Sequence, residues 1–220
     1  MLIVYGDRAA REVSRRIALS VADVTELAAI PGNRRVDGML CMVKAAPRDG
    51  GGLWRFHPSS SLTANTHLVV GTGTGRWLRM PGAIDIGIPI TFATADAAVH
   101  LTMPTGSLLQ LDDLFWEVTA DWTGGAASTI GVSSNKTAPT SWVAKGDLLG
   151  GVAGDAAATL VASVGIVSGT VGTDMDTIAK RRGALWKATD NFLHDRITSA
   201  FTAGTGYLHI VGNLLANNGA

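Results

Sequence analysis

Hydrophobic and polar positions alternate most clearly in the middle of the chain. Ile84, Ile86, Ile88, Ile90 and Phe92 fall on every second residue, which places all five on one side of an extended strand. Val99, Leu101 and Met103 repeat the pattern in the next segment. Pro89 interrupts the first run, and a proline there predicts an edge strand or a bulge. Further extended segments are predicted at 108–111, 114–119, 128–132, 159–164, 197–201 and 207–211, with 202–206 as the loop of a terminal hairpin. In the first half, segments 39–44, 53–57, 68–70 and 76–80 read as strands. They are separated by Pro47–Gly52, Pro58–Ser61 and Gly71–Gly75, runs of turn-forming residues that suit a small antiparallel sheet. After Val24 the pattern is broken and β-like.

The N-terminal pattern is different. Ala9, Val13 and Ile17 recur every four residues, which predicts a short amphipathic helix over 7–18 with Asp7 as its N-cap. Arg8, Arg11, Arg15 and Arg16 lie off that stripe. So thin a stripe needs a partner surface, because a helix this short is marginal alone in water. Either it packs on its own domain, or it is an arm that docks on a neighbouring subunit. Residues 174–196 mix charged and apolar groups irregularly and fit a short helix or a long crossover loop equally well. Together these elements predict an all-β fold. A short helical arm (1–22) precedes a small antiparallel β module (23–82) and a β-sandwich or jelly-roll-like domain (83–220).

Composition narrows this picture. A chain of 220 residues can bury roughly 70% of its unfolded surface, so it needs neither disulfides nor metal to fold. Its charged fraction, 16%, is below the usual ~25%, and it holds 27 glycines. Low charge with abundant Gly argues against disorder, a long-helix protein and a generic nucleic-acid binder. Eighteen basic residues balance eighteen acidic ones, and zero net charge promotes association. The balance is uneven along the chain. Residues 1–82 carry eleven Lys/Arg against six Asp/Glu, and residues 83–220 carry seven against twelve. The change falls at the turn-forming Met80-Pro81-Gly82, a candidate domain boundary. Opposite halves of this kind could attract one another across copies in an assembly.

Cys41 is the single cysteine and lies in the apolar run Gly38–Val43, which predicts a buried, inert thiol. The first residues run apolar to basic, the reverse of a secretory signal, and no apolar run is long enough to predict a membrane span.

Candidate chemistry is sparse. Gly71-Thr-Gly-Thr-Gly75 lacks the spacing of either nucleotide-binding loop and precedes a strand pattern rather than a helix, so it reads as a turn. Ser133-Ser-Asn-Lys136 has the Ser–Lys spacing but sits in a polar stretch with no helix to align the two side chains. His57, His67, His100, His194 and His209 form no metal-binding spacing. His100 and His209 fall inside strand segments, where exposed or hydrogen-bonded histidines are common. Asp112, Asp113 and Glu117 are candidate paired carboxylates, although acidic residues near turns are ordinary. Trp54 and Trp77 alternate with charged neighbours and predict core of the first module. Trp116, Trp122 and Trp142 flank the Gly- and Ser-rich stretch 123–141. Two readings stay open for them: core packing, or an exposed aromatic interface for sugar rings or another protein.

Two stretches carry a resemblance. Gly52-Leu-Trp-Arg-Phe56, followed downstream by Gly73-Thr-Gly-Arg-Trp-Leu-Arg79, resembles a small β module that recurs in virion structural proteins of tailed bacteriophages. Phe115–Thr119 with Trp122–Gly125, Ile130–Asn135 and Lys145–Gly151 is similar to a domain of phage capsid-associated proteins. The resemblance implies a head decoration (cement) protein: a non-enzymatic homotrimer on the capsid exterior, made in the host cytoplasm. It implies the major capsid protein as partner, and no nucleic acid or membrane. No catalytic, cofactor-binding or metal-binding residue is carried over, and no cofactor is implied. On this reading Arg8, Arg11, Arg15 and Arg16 belong to a capsid-binding arm. The alternatives are a tail, fibre or adaptor component of the virion, and a carbohydrate-binding β-sandwich using Trp116, Trp122 or Trp142.

Overall fold

In the computed structural model the described residues are 17–123, 130–134, 149–152, 160–161, 184–188, 190–196 and 201–218. The predicted helix over 7–16, Arg8, Arg11, Arg15, Arg16 and Trp142 lie outside them. The fold is all-β. Contacts divide the chain into two compact units, the first built from residues 1–81, 104–106 and 216–220 and the second from 82–103 and 107–215.

The first unit is a five-stranded sheet. Its strands are β1 (Ile17–Val21), β2 (Leu40–Val43), β3 (Gly52–His57), β4 (Val69–Gly71) and β5 (Arg76–Arg79), in the order β1-β2-β3-β5-β4. β1 pairs parallel to β2, and the other pairings are antiparallel. Ile17 and Ala18, predicted as the end of a helix, and the arm predicted to run to residue 22, therefore contribute an edge strand instead. Alternation along Leu40–Val43 turns Cys41 and Val43 inward and leaves Met42 exposed. Trp54 and Phe56 on β3 and Trp77 on β5 complete one apolar face, with Phe56 and Trp77 paired across the ladder and their rings 5.3 Å apart. Both tryptophans predicted as core are fully buried. The Trp54 indole also donates to the Gly50 carbonyl at 2.9 Å.

A helix absent from the sequence reading, α1 (Val24–Ala29), covers this face with Leu27. Six residues are too few to display a helical period, and the signal lies in its cap. Asp23 Oδ1 accepts from the backbone N–H groups of Thr25 and Glu26, and Glu26 Oε2 accepts from Ala22 N. The Asp23 bonds satisfy two donors that a helix start leaves without partners, and the Glu26 bond fixes the residue that precedes the cap.

Burial also explains the loops. Arg79 is buried with its guanidinium donating to the carbonyls of Pro47 and Gly51, which ties the 47–52 loop to β5. Asn217 donates to the carbonyls of both Leu68 and Arg79 and holds the end of the chain on the β4–β5 edge. Gly71–Gly75 is the turn of the β4–β5 hairpin, as its spacing predicts.

The second unit holds two sheets. One contains β6 (Gly82–Thr91), β8 (Ser107–Thr123), β11 (Leu160–Val161), β12 (Ala184–Lys187) and β14 (Ala203–Asn217, of which residues 203–215 lie in this unit). Its order is β11-β8-β14-β6, with β12 also on β8. The other has the order β10-β9-β13-β7, from β7 (Val99–Thr102), β9 (Ile130–Ser134), β10 (Leu149–Val152) and β13 (Asn191–Arg196). Ile84, Ile86, Ile88 and Ile90 are all buried, and β6 is an edge strand with Pro89 exposed, as the alternation and the proline predict. Aromatic rings join the two sheets. Trp186 of β12 stacks on Phe192 of β13 at 4.0 Å, and Trp116 of β8 meets His100 of β7 edge-on.

Several local expectations need correction. Residues 184–187 and 191–196 are strands, not helix or loop. Each is short and has only one or two buried apolar side chains, which hides its period. Residues 203–206 belong to β14 rather than to a hairpin loop, because their glycines sit in the ladder against β6 and β8. Phe92 lies beyond β6 and is exposed, and Val99 is 54% exposed while Leu101 and Met103 are buried. A register shift between Phe192 and Leu193 opposite β7 accounts for the broken alternation at Val99.

Two glycines of the β4–β5 turn separate strain from crowding. Gly73 and Gly75 have φ of 77° and 75°, a conformation that costs other residues about 1–2 kcal/mol. A Cβ at Gly73 would meet nothing within 4 Å, whereas at Gly75 it would lie 2.7 Å from the His57 carbonyl oxygen and from Phe56. Gly73→Ala should therefore show only the backbone cost. Gly75→Ala should lose a further ~1–3 kcal/mol from overpacking. Urea unfolding of the two variants checks the order, and equal losses would refute it.

Candidate functional site

The richest polar cluster lies on the outward face of the β8–β14–β6 sheet. Along β14 the even-numbered residues from Gly204 to Leu214 are buried, so odd-numbered residues project to the other side. His209 is odd-numbered, yet it is buried with only 6% of its side chain exposed. Its Nδ1 lies 2.9 Å from Asp85 Oδ1 on β6, and its Nε2 lies 3.0 Å from Glu117 Oε2 on β8. Phe115, two residues before Glu117, stacks flat on the imidazole with centroids 4.4 Å apart and planes at 7°. Tyr207 stands beside it at 6.4 Å. Gly87 is the residue directly opposite His209 on β6.

The electrostatics follow from this geometry. Burial disfavours a charged His209, but the hydrogen bonds to Asp85 and Glu117 and their negative charges outweigh it and raise its pKa above the ordinary 6.5. With both nitrogens facing carboxylate oxygens, the protonated ring can donate twice. It then has no lone pair with which to act as a base. Asp85 and Glu117 remain 34% and 26% exposed.

A second histidine pair lies within the same unit. His194 Nδ1 is 3.2 Å from His100 Nε2, and their rings meet edge-on. Such a bond needs one nitrogen protonated and the other bare. Burial first, and then the neighbouring His194, lower the pKa of His100 to about 3. In the first unit, burial and the charge of Arg79 lower His67 to about 4. Cys41 is buried and its thiol is pushed up to about 11 by burial, the inert state its sequence context predicts.

The other sequence candidates separate. Of the proposed carboxylates, Glu117 joins His209, whereas Asp113 accepts from the backbone N–H of Leu114 and Asp112 is exposed. Ser133 and Ser134 lie in β9, not on a helix that could align a Ser–Lys pair. Among the described residues no cluster of three or more His, Cys, Asp or Glu could hold a metal ion.

The exposed aromatic interface is corrected for two of its three members. Trp116 and Trp122 are each 1% exposed. In β8 the inward positions are Leu109 and Leu111, then Leu114, Trp116 and Val118, so the alternation slips by one at Asp112–Asp113 and carries Trp116 inside. Trp122 is inside because Gly204 lacks a side chain. A Cβ there would lie 2.5 Å from the indole, whose other neighbour is Phe201, edge-on at 5.1 Å.

Sequence reading missed the His209 cluster as a unit, because Asp85 and Glu117 are 124 and 92 residues away along the chain. Parity alone could have placed Asp85, between inward isoleucines, on the outward face. It could not have said which strands are neighbours. No family model, curated protein or solved structure matches the chain.

The neutral histidines carry a pH prediction. A histidine with a depressed folded pKa stays neutral where the unfolded chain already binds a proton. Its contribution is therefore whole above 6.5 and is lost as the pH falls toward the folded value. Thermal melts of the wild type and of His100→Gln should diverge in slope between pH 6.5 and about 3, with the wild type losing more on acidification. Parallel curves would remove His100 as a source of acid sensitivity.

Proposed function

We propose that this chain is a non-enzymatic structural protein of a tailed-phage virion, which decorates the capsid exterior and stabilises it by bridging major capsid protein subunits as a homotrimer. The observation that carries the reading is where the resembling residues lie. Gly52–Phe56 and Arg76–Arg79 are neighbouring antiparallel strands, with Trp54 opposite Arg79 and Phe56 opposite Trp77. The two halves of the phage-like pattern thus share one core, which supports reading them as a single module. Parts of the second pattern also adjoin, since Leu149 of β10 pairs with Val132 of β9.

The chemistry of the polar residues supports a structural role. Asp23 and Glu26 cap a helix, Asp190 closes the β12–β13 turn through Lys187 N, and Arg79 and Asn217 tie loops and chain end to strands. His209 is occupied on both nitrogens. The carbohydrate-binding alternative loses its support at Trp116 and Trp122, whose rings are buried.

A decoration protein works by linkage. Whatever binds only the expanded shell stabilises that state by its binding free energy, and modest contacts repeated over a lattice add through avidity. Light scattering of the purified protein should give a trimer, and sedimentation with expanded, undecorated shells should pellet it at lattice-scale copy number. Binding of only a few copies, confined to particles bearing a portal, would assign it to the tail instead. Failure to bind either particle would refute a virion role.

A further inference from the structure

We infer that His209 is a proton-operated clamp that fastens the edge strand β6 to the two strands behind it. Asp85 is on β6, His209 on β14 and Glu117 on β8, so one imidazolium ties three strands on the outward face. β6 ends the sheet, and among the described strands it pairs with β14 alone. The Asp85–His209 bond adds a side-chain tie across that ladder on the outward face.

The titratable groups around the ring are few. Asp85 faces it from β6, Glu117 from β8 and Tyr207 from its own strand, while Phe115 covers one ring face. Protonated, the ring donates to both carboxylates. Neutral, it keeps one N–H and presents a lone pair to the other carboxylate, so one of the two bonds turns repulsive. The raised pKa of His209 fixes the sign. The clamp's contribution is complete below the ordinary 6.5 and is lost as the pH rises through the folded value. Alkaline conditions therefore loosen β6, a response opposite in sign to that of His100.

The test is a histidine-resolved NMR titration of the full chain, with amide hydrogen exchange expressed as protection factors across the same pH range. His209 should titrate above 6.5, and β6 protection should fall between 6.5 and that midpoint while β9 and β13 hold theirs. Each unit of elevation corresponds to about a tenfold change in the opening equilibrium of β6. Glu117→Gln should lower the midpoint, and His209→Gln should make β6 protection independent of pH. A wild-type midpoint at or below 6.5, or β6 protection indifferent to His209 ionisation, would overturn the clamp. The wild-type titration decides the matter even if a variant fails to fold.

Discussion

The geometry of the second unit rests on how closely β14 approaches β8. A Cβ at Gly206 would lie 2.3 Å from the carbonyl oxygen of Glu117, and one at Gly212 would lie 2.2 Å from that of Gln110. No side chain fits at either distance, so the backbones can come together only where β14 has none. The approach fixes the position of β14 along β8, and much else follows. It seats Trp122 over Gly204 and brings the Glu117 carboxylate within reach of His209. The opposite edge of β14 forms an unbroken ladder with β6 from Thr205 to Leu214, which delivers Asp85 to the other ring nitrogen. A buried imidazolium is costly without partners. Here both partners are supplied by strands whose register is set independently of the histidine.

The two histidine arrangements of this unit show how surroundings choose a protonation state. His100 and His194 face each other next to Trp116, no carboxylate among the described residues is bonded to His100, and burial lowers the pKa of His100. His209 is also buried, but two carboxylates reverse the outcome. Burial alone therefore does not decide the charge. What decides it is whether adjacent strands bring acceptors or only rings and aliphatic groups.

Legibility in the sequence followed the range of the interaction. The β6 isoleucines and the apolar positions of β2, β3 and β5 were readable because alternation is a local property that burial on one face enforces. The Gly71–Gly75 turn was readable because its residues require left-handed or open backbone. The helix α1 was not, since six residues give less than two turns and its cap is carried by polar groups alone. Trp116 and Trp122 were ambiguous for a different reason. Their direction depends on a slip in alternation at Asp112–Asp113 and on a glycine some eighty residues away, neither of which leaves a periodic trace. The His209 cluster combines three segments, and no one-dimensional pattern specifies that β14 lies between β8 and β6.

The opposed linkages have a joint consequence. His100 withdraws stability as the pH falls below 6.5, and His209 withdraws it as the pH rises from 6.5 through its own elevated value. The two contributions are whole together only near 6.5, so their sum is greatest there and falls on either side. The two losses need not have the same structural form. The His100–His194 pair sits beside Trp116 where the two sheets meet, so charging it acts on contacts between layers. The His209 clamp lies on the outward face and acts along one sheet, on a strand that has a single ladder to hold it. Acid therefore weakens the unit at its core, whereas alkali weakens it at an edge. The extent of the second is limited by Ile84, Ile86, Ile88 and Ile90, which β6 keeps buried in the core.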